Sequence, residues 1–146
     1  MARAGVEVVD VAVVDTNVLV GATDSMDPDH AACVRALERR DLRLMIPALC
    51  IAEAVYLIAR DTGPRAEELF LRGLVEFDVR APEPEDWERM ADLVRQYADF
   101  PLGGTDASVI ALAERVGAEI VLTLDHRHFA AVRPRHCERF QLLPQL

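Results

Sequence analysis

Short runs of apolar, β-branched residues alternate along the chain with longer segments in which apolar residues recur at helical spacing. The short runs predict strands over residues 8–14, 42–46, 76–79, 119–124 and 139–143. The longer segments predict helices over residues 27–40, 47–60, 64–75, 84–98 and 105–116. Asp27 is expected to cap the first of these helices and Thr105 the last, which Gly117 is expected to end.

Apolar strands separated by helices are typical of a parallel sheet that is covered on both faces. The predicted fold class is therefore α/β. The chain has 146 residues and contains no internal repeat, linker or low-complexity segment. This length suits one domain, so residues 1–146 are expected to form a single unit.

Composition and charge exclude several kinds of chemistry. Apolar residues make up 51% of the chain, and 25 acids against 16 bases leave a net charge of −9. Every base is an arginine, and the sequence contains no lysine. P-loop nucleotide hydrolysis, Schiff-base catalysis and the lysine-dependent phospho-receiver switch are thereby excluded.

The cysteines and the N-terminal segment bear on the cellular compartment. Cys33, Cys50 and Cys137 are far apart and form neither a CxxC pair nor a zinc-binding spacing. Glu7 and Asp10 interrupt the apolar N-terminal stretch, which therefore makes a poor signal peptide. No apolar run reaches about 18 residues, the length needed to span a bilayer. We expect a cytoplasmic protein without membrane association.

The positions of four acids are the most informative feature of the sequence. Asp15 and Asp125 directly follow predicted strands, and ligands bind at the carboxyl ends of parallel strands. Glu53 is the only charge within residues 46–59, so it is expected on a largely buried helix, where an unpaired carboxylate is costly. Asp106 lies in the first turn of a predicted helix, where the helix dipole favours an anion.

Carboxylates that meet at one edge, with no lysine among them, would repel one another unless a cation binds between them. Mg²⁺ and Mn²⁺ prefer oxygen ligands, and such a site suits hydrolysis of a phosphodiester bond without a protein nucleophile. Taken singly, each acid also fits a structural role. An aspartate at a strand end can form a turn, Asp106 can serve as a first-turn acid, and Glu53 can pair with a buried arginine.

Four segments, taken in order, carry a resemblance to a known family. They are VVDTNVLV at residues 13–20, AE at 52–53, TDASVIALAERVGA at 105–118 and TLDHRHF at 123–129. In this order and spacing the chain resembles the PIN-domain family and, within it, the VapC-type toxin ribonucleases. Family members usually begin almost at the first strand, whereas here residues 1–7 form an N-terminal extension.

The resemblance implies a three-layer α/β/α fold with a central, mainly parallel sheet. It implies an endoribonuclease toxin that depends on Mg²⁺ or Mn²⁺, and the catalytic and metal-binding residues would be Asp15, Glu53, Asp106 and Asp125. Asp15 and Asp106 would be the most direct ligands. Further candidates for the site are Thr16, Asn17, Asp99, Thr105 and Thr123, and the resemblance assigns Thr16, Asn17 and Thr123 to orienting the carboxylates.

The resemblance also implies two protein partners. One is a second copy of the chain in a homodimer, and the other is a cognate antitoxin that neutralises the toxin. The helices predicted over residues 27–40 and 47–60 carry more apolar surface than one face of a sheet needs. The antitoxin is therefore expected in an apolar groove between these two helices.

The charge distribution decides where RNA is expected to bind. A net charge of −9 argues against binding by the whole surface. A basic segment follows Asp125, and its candidate phosphate contacts are Arg127, His128, Arg133 and Arg135. The alternative for this segment is a solvated tail without a ligand.

Two alternative functions compete with the ribonuclease. One is a PIN-like module that binds RNA or protein and has no catalytic activity. The other is a haloacid-dehalogenase-like phosphatase, which also places an aspartate after its first strand. That enzyme needs a second aspartate two residues later, where this chain has Asn17, and a lysine, which this chain lacks.

Overall fold

The computed structural model describes residues 9–146 of the chain. Its strands are β1 (Asp10–Val14), β2 (Leu42–Pro47), β3 (Asp78–Arg80), β4 (Ile120–Leu122) and β5 (Gln141–Leu143). Its helices are α1 (Thr16–Thr23), α2 (His30–Leu37), α3 (Ala48–Asp61), α4 (Pro64–Gly73), α5 (Pro84–Gln96), α6 (Gly104–Val116) and α7 (His126–Ala131). A 3₁₀ helix over Leu74–Glu76 follows α4. The predicted N-terminal extension, residues 1–7, lies outside the described residues.

The strands form one sheet in the order β3-β2-β1-β4-β5, and every pairing is parallel. This arrangement confirms the predicted α/β class with a parallel sheet. The chain builds outward from β1 through β2 to β3, and then crosses to the other side of β1 to add β4 and β5. The strand order thus reverses between β1 and β4, and such a switch point opens a crevice at the carboxyl ends of the strands.

Helix α6 forms the centre of the core. Its stretch of seven consecutive buried residues is Ala107, Ser108, Val109, Ile110, Ala111, Leu112 and Ala113. It packs against β1, β2 and β4 on one side and against α5 on the other. A helix that is apolar on all sides is expected to be enclosed in this way. The first turn of α6, which carries Asp106, is thereby fixed relative to the central strands.

Two of the helices were not predicted from the sequence. The segment of α1, TNVLVGAT, has no polar face at helical spacing, and its β-branched residues and Gly21 are weak helix formers. Its start is nevertheless stabilised because the carboxylate of Asp15 accepts a hydrogen bond from the N–H of Thr16. Helix α7 occupies the start of the basic segment, and Asp125 caps it by accepting from the N–H of His128.

The predicted helix caps were partly wrong. Residue Asp29, not Asp27, precedes α2, and the carboxylate of Asp27 instead accepts from the N–H of Asp29 in the preceding loop. Thr105 lies inside α6, whose capping position is Gly103. Gly117 ends α6 with a φ of 72°, as predicted, because this left-handed conformation favours glycine. Within residues 9–146, no helix combines the length and apolarity that crossing a membrane requires.

The contact between α1 and α2 leaves no room for a larger residue at Gly21. A Cβ at this position would lie 2.7 Å from Sγ of Cys33, which is fully buried. We expect Gly21→Ala to lower the free energy of unfolding by about 1–3 kcal/mol through overpacking. Adding Cys33→Ala removes the clashing sulfur, so the double variant should recover part of this loss. Urea unfolding of the four proteins of this double-mutant cycle measures the coupling, and strictly additive effects would contradict the clash.

Candidate active site

The site begins with a buried carboxylate at the switch point of the sheet. Asp15 follows β1, its side chain is almost fully buried, and its N–H donates to the carbonyl of Leu122 at 2.9 Å. One carboxylate oxygen accepts from the N–H of Thr16 at 2.8 Å. The other accepts from the hydroxyl of Thr123 at 2.9 Å. The end of β1 is therefore joined to the end of β4 through the carboxylate itself.

Thr123 is the centre of a fully used hydrogen-bond network. Its hydroxyl donates to Asp15 and accepts from the N–H of Asp125 at 3.0 Å and from the side-chain amide of Asn17 at 3.3 Å. The side-chain oxygen of Asn17 accepts from the N–H of Leu124 at 2.9 Å. One donor and two acceptor positions of the hydroxyl are thus occupied, so its orientation is determined. Thr123 thus holds the carboxylate of Asp15, and together with Asn17 it holds the backbone of Leu124 and Asp125.

The three other carboxylates that the sequence singled out face the same cavity from other elements. Glu53 comes from α3, Asp106 from the first turn of α6, and Asp125 from the cap of α7. The cavity has a volume of about 300 Å³ and is lined by Asp15, Thr16, Asn17, Val20, Asp27, Glu53, Leu57, Asp106, Leu124 and Asp125. Among residues 9–146, no arginine or histidine belongs to this lining. The structure therefore brings together all four acids that the sequence singled out.

The electrostatics of the cavity follow from this charge imbalance. Burial raises the pKa of Asp15 to about 7, opposed by the Thr123 hydroxyl and reinforced by the nearby charges of Asp106 and Glu53. Burial also raises the pKa of Asp106, which the N–H of Gly103 opposes. The two groups are thus shifted toward the neutral acid, because burial and the neighbouring carboxylates outweigh these hydrogen bonds and the nearby His128 imidazole.

The carboxylates line the cavity without converging on one point. Within residues 9–146, no three His, Cys, Asp or Glu side chains stand at the mutual spacing of a ready-made metal site. A Mg²⁺ ion usually keeps several of its waters and binds through one or two carboxylates directly. A cavity of this size, lined by carboxylates from separate elements, suits a hydrated ion of that kind.

Glu53 occupies a different environment from the one predicted. It is exposed, as are Ala52 and Tyr56, so α3 is not buried on all sides, and no buried arginine pairs with Glu53 among the described residues. The apolar run predicted a helix buried on all sides, but α3 packs through only one face, which includes Cys50, Ala54 and Ile58. Glu53 thus stands at the opening of the cavity rather than in its floor.

The remaining predicted site residues fall in three kinds of position. Thr16 lines the cavity, and its hydroxyl is buried without a partner among residues 9–146. Asp99 is exposed in the loop between α5 and α6 and does not line the cavity. Thr105 is half-buried, and its carbonyl accepts from the hydroxyl of Ser108. Neither Asp99 nor Thr105 therefore contributes a side chain to the lining.

Asp27 is a fifth acid in the cavity, and sequence reasoning missed it. The sequence pattern predicts that this segment starts a helix, whereas Asp27 lies in the loop between α1 and α2. One oxygen of its carboxylate accepts from the N–H of Asp29 at 2.8 Å. Placing Asp27 beside Asp15 requires the course of α1, and no pattern in the sequence predicted that helix.

The four basic residues predicted to contact RNA do not form one continuous surface beside the cavity. Arg127 and His128 lie on α7, next to the cavity, and His128 contacts the carboxylate of Asp125. The N–H of Arg133 donates to the hydroxyl of Tyr97, and the N–H of Arg135 donates to Glu114 at 2.7 Å. Glu114 lies about 12 Å further along α6 than Asp106, at 1.5 Å per residue. Arg135 therefore lies toward the opposite end of the strands, away from the cavity.

The fold and the acidic cavity define a PIN domain. The family model for the PIN domain matches residues 12–133, which is most of the chain. The chain belongs to this family. It is 34% identical over 134 residues to Ribonuclease VapC26 of Mycobacterium tuberculosis, covering 90% of this chain and 99% of that protein.

Solved structures share the fold at lower sequence identity. VapC20 of Mycobacterium tuberculosis, described as a toxin that cleaves the sarcin-ricin loop, superposes with a TM-score of 0.68 at 17% identity, over 75% of this chain and 86% of that one. A toxin-antitoxin complex from Klebsiella pneumoniae gives 0.66 at 21% identity, over 83% and 92%. VapBC2 from Rickettsia felis, bound to a promoter DNA fragment, gives 0.68 at 14% identity, over 92% and 99%.

The raised pKa of Asp15 predicts how the metal-free protein responds to pH. The folded protein keeps a proton that the unfolded chain loses near pH 4, so stability should fall as the pH rises toward 7. A shift of this size corresponds to a few kcal/mol on the order-of-magnitude scale of 1.4 kcal/mol per pKa unit. We expect Asp15→Asn to be more stable than the wild type at pH 7 in EDTA, and to lose this pH dependence.

Urea unfolding at pH 5 and pH 7 measures the effect. Asp92→Asn, on α5 outside the cavity, is the matched control and should keep the wild-type pH dependence. An Asp15→Asn protein with the same loss of stability between the two pH values would contradict the assignment to Asp15.

Proposed function

We propose that this chain is an endoribonuclease toxin that acts as a single PIN domain, uses Mg²⁺ or Mn²⁺, and is neutralised by a cognate antitoxin. The observation that carries the proposal is the cavity at the switch point, which is lined by five acids and, within the described part of the chain, by no base. Membership of the PIN family and the likeness to Ribonuclease VapC26 support the substrate class.

The donor set of the cavity fits a divalent cation. Asp15 is almost fully buried beside other carboxylates, and in the absence of a positive charge it is shifted toward its neutral form. A cation would remove the cost of ionising it, and Mg²⁺ and Mn²⁺ take oxygen ligands of this type. We assign Asp15 and Asp106 as the most direct ligands, with Glu53 and Asp125 completing the set.

The other residues of the site hold the carboxylates in place and face the substrate. When bound, the cation would lower the pKa of an attacking water and stabilise the leaving oxygen of a phosphodiester. Thr123 and Asn17 hold Asp15 and the start of α7 in fixed positions, so little reorganisation is needed when charge develops. Glu53, at the opening of the cavity, is placed to meet the substrate side of the site.

Substrate contact is assigned to Arg127, an exposed base on α7 next to the cavity. Arg127 is exposed on α7, two residues after Asp125, and has no carboxylate partner among the ion pairs of residues 9–146. Its guanidinium is free to bind a phosphate through two parallel hydrogen bonds. Arg133 and Arg135 would contact only an RNA that extends along α6 and beyond the cavity.

The catalytic assignment is tested with Asp106→Asn. We expect this variant to keep its fold, to lose RNA cleavage, and to lose the rise in melting temperature that Mn²⁺ gives the wild type. A ligand present at a hundredfold excess over its Kd stabilises a protein by about 2.7 kcal/mol. Asp92→Asn should cleave and respond to Mn²⁺ like the wild type.

The same experiment separates the enzyme from a binding module without activity. A module without catalysis would bind RNA and cleave none, whether or not Mn²⁺ is present. An Asp106→Asn protein that cleaves at the wild-type rate, free of contaminating nuclease, would overturn the site assignment.

An apolar cavity supports the proposal of an antitoxin partner. It has a volume of about 170 Å³ and is lined by Leu19, Ala22, Thr23, Leu37, Leu69, Phe70, Gly73, Leu74 and Phe77. These residues come from α1, the end of α2, α4 and the segment after it. We place the antitoxin groove here instead of between the helices predicted over residues 27–40 and 47–60. Leu69 at its edge is 52% exposed. An amphipathic helix of the antitoxin would bury this surface.

Leu69→Glu tests this surface. We expect it to weaken antitoxin binding by on the order of 10-fold or more, because a charge would then face an apolar partner, while RNA cleavage by the free toxin is unchanged. Leu71→Glu is a matched control, since Leu71 is 46% exposed on the same helix but does not line the groove. Equal inhibition of both variants and the wild type by the antitoxin would contradict the docking site.

The homodimer is a further part of the proposal. Trp87 and Val94 lie two turns apart on α5 and are both exposed, which gives this helix an apolar surface patch. Light scattering of the purified chain is expected to give about twice the monomer mass of 16.2 kDa. A monomer at all concentrations tested would count against the dimer and leave the nuclease assignment unaffected.

A further inference from the structure

One residue holds both oxygens of the Asp125 carboxylate. The first oxygen accepts from the backbone N–H of His128 at 3.1 Å, and the second contacts Nδ1 of the His128 imidazole. Because an ionised carboxylate only accepts hydrogen bonds, this second contact places a proton on Nδ1. The side chain of Asp125 is therefore fixed by a single turn of α7.

The imidazole of His128 is itself held from the other side. The ring of Phe100 meets it edge to face, with centroids 4.9 Å apart and an angle of 76° between the planes. Such edge-to-face pairs are favourable and restrict the ring orientation. Phe100 belongs to the loop between α5 and α6, the loop that leads into the first turn of α6.

This contact links two acids that come from different elements. Three residues after Phe100, the N–H of Gly103 donates to the carboxylate of Asp106 at 3.3 Å. The loop that positions Asp106 thus also supplies the ring that holds His128, and His128 holds Asp125. A displacement of Asp125 would have to disturb the loop on which Asp106 depends.

We propose that His128 is a positioning residue, which holds the carboxylate of Asp125 toward the cavity and is locked in place by Phe100; this inference rests on the proposed metal-dependent function. The direct phosphate contact expected for His128 could then be made only through Nε2, since Nδ1 contacts Asp125. Hydrogen bonds to metal-binding carboxylates orient them, and their loss typically lowers metal affinity or activity by about 10- to 100-fold.

The test measures Mn²⁺ binding to the full chain by calorimetry. In His128→Leu the ring volume is roughly kept and the donor is lost, so we expect Mn²⁺ to bind about 10-fold or more weakly. In His128→Asn the amide nitrogen takes nearly the position of Nδ1, so affinity should stay close to that of the wild type. A role in packing alone would not produce this rescue.

His136→Leu serves as the matched control. Its imidazole contacts the carbonyl of Ala118, which precedes β4. This contact lies at the other end of the strand from the cavity, so Mn²⁺ binding should be unchanged. If His128→Leu does not fold, Phe100→Leu decides the matter, because removing the aromatic edge should also weaken Mn²⁺ binding. Wild-type affinity in Phe100→Leu would then overturn the proposal.

Two results would overturn the proposal while leaving the metal site intact. One is wild-type Mn²⁺ affinity in His128→Leu, and the other is an equal loss of affinity in His128→Asn and His128→Leu. A wild-type protein that binds no Mn²⁺ would instead refute the proposed function, and the positioning role would fall with it.

Discussion

The hydrogen bond from the hydroxyl of Thr123 to the carboxylate of Asp15 joins the two strands between which the sheet reverses its order. It lies at the one place where a buried carboxylate would otherwise face an apolar core and other acids. The same hydroxyl accepts from the N–H of Asp125, so a single buried group positions one acid directly and the start of α7 indirectly. A residue without a hydroxyl at this position would leave a buried donor and a buried acceptor unsatisfied.

At the end of the molecule remote from the cavity, α5 and α6 are joined by ion pairs and not by neutral hydrogen bonds. Arg89 on α5 binds Glu114 on α6 through two hydrogen bonds of 2.7 and 3.0 Å, and Arg115 binds the buried carboxylate of Asp86. These pairs join α5 to α6 at the end remote from the cavity. The protein thus pairs its acids with arginines where they join α5 to α6, whereas among residues 9–146 no arginine lines the acidic cavity.

The sequence predicted the class of fold and the four acids, because both depend on local patterns. Strand ends follow from apolar runs, and parallel strands bring Asp15 and Asp125 to one edge whatever the loops do. The exposure of Glu53 could not be predicted in this way, since an apolar run does not reveal how many faces of α3 will find a partner. Asp27 and the link between Phe100 and His128 depend on the paths of α1 and of the α5–α6 loop, which are decided by tertiary packing.

The pairing of Asp15 with Thr123 also bears on how the protein is made. The two residues are 108 positions apart, and Asn17 meets Leu124 across 107 positions, so the cavity is built from contacts of very high sequence separation. Contacts of this kind form late in folding, because a long loop must close before they contribute. During synthesis β1 and β2 can pair early, whereas β4 must leave the ribosome before Asp15 finds its partner. A growing chain therefore has no assembled acidic cavity until translation has passed Asp125.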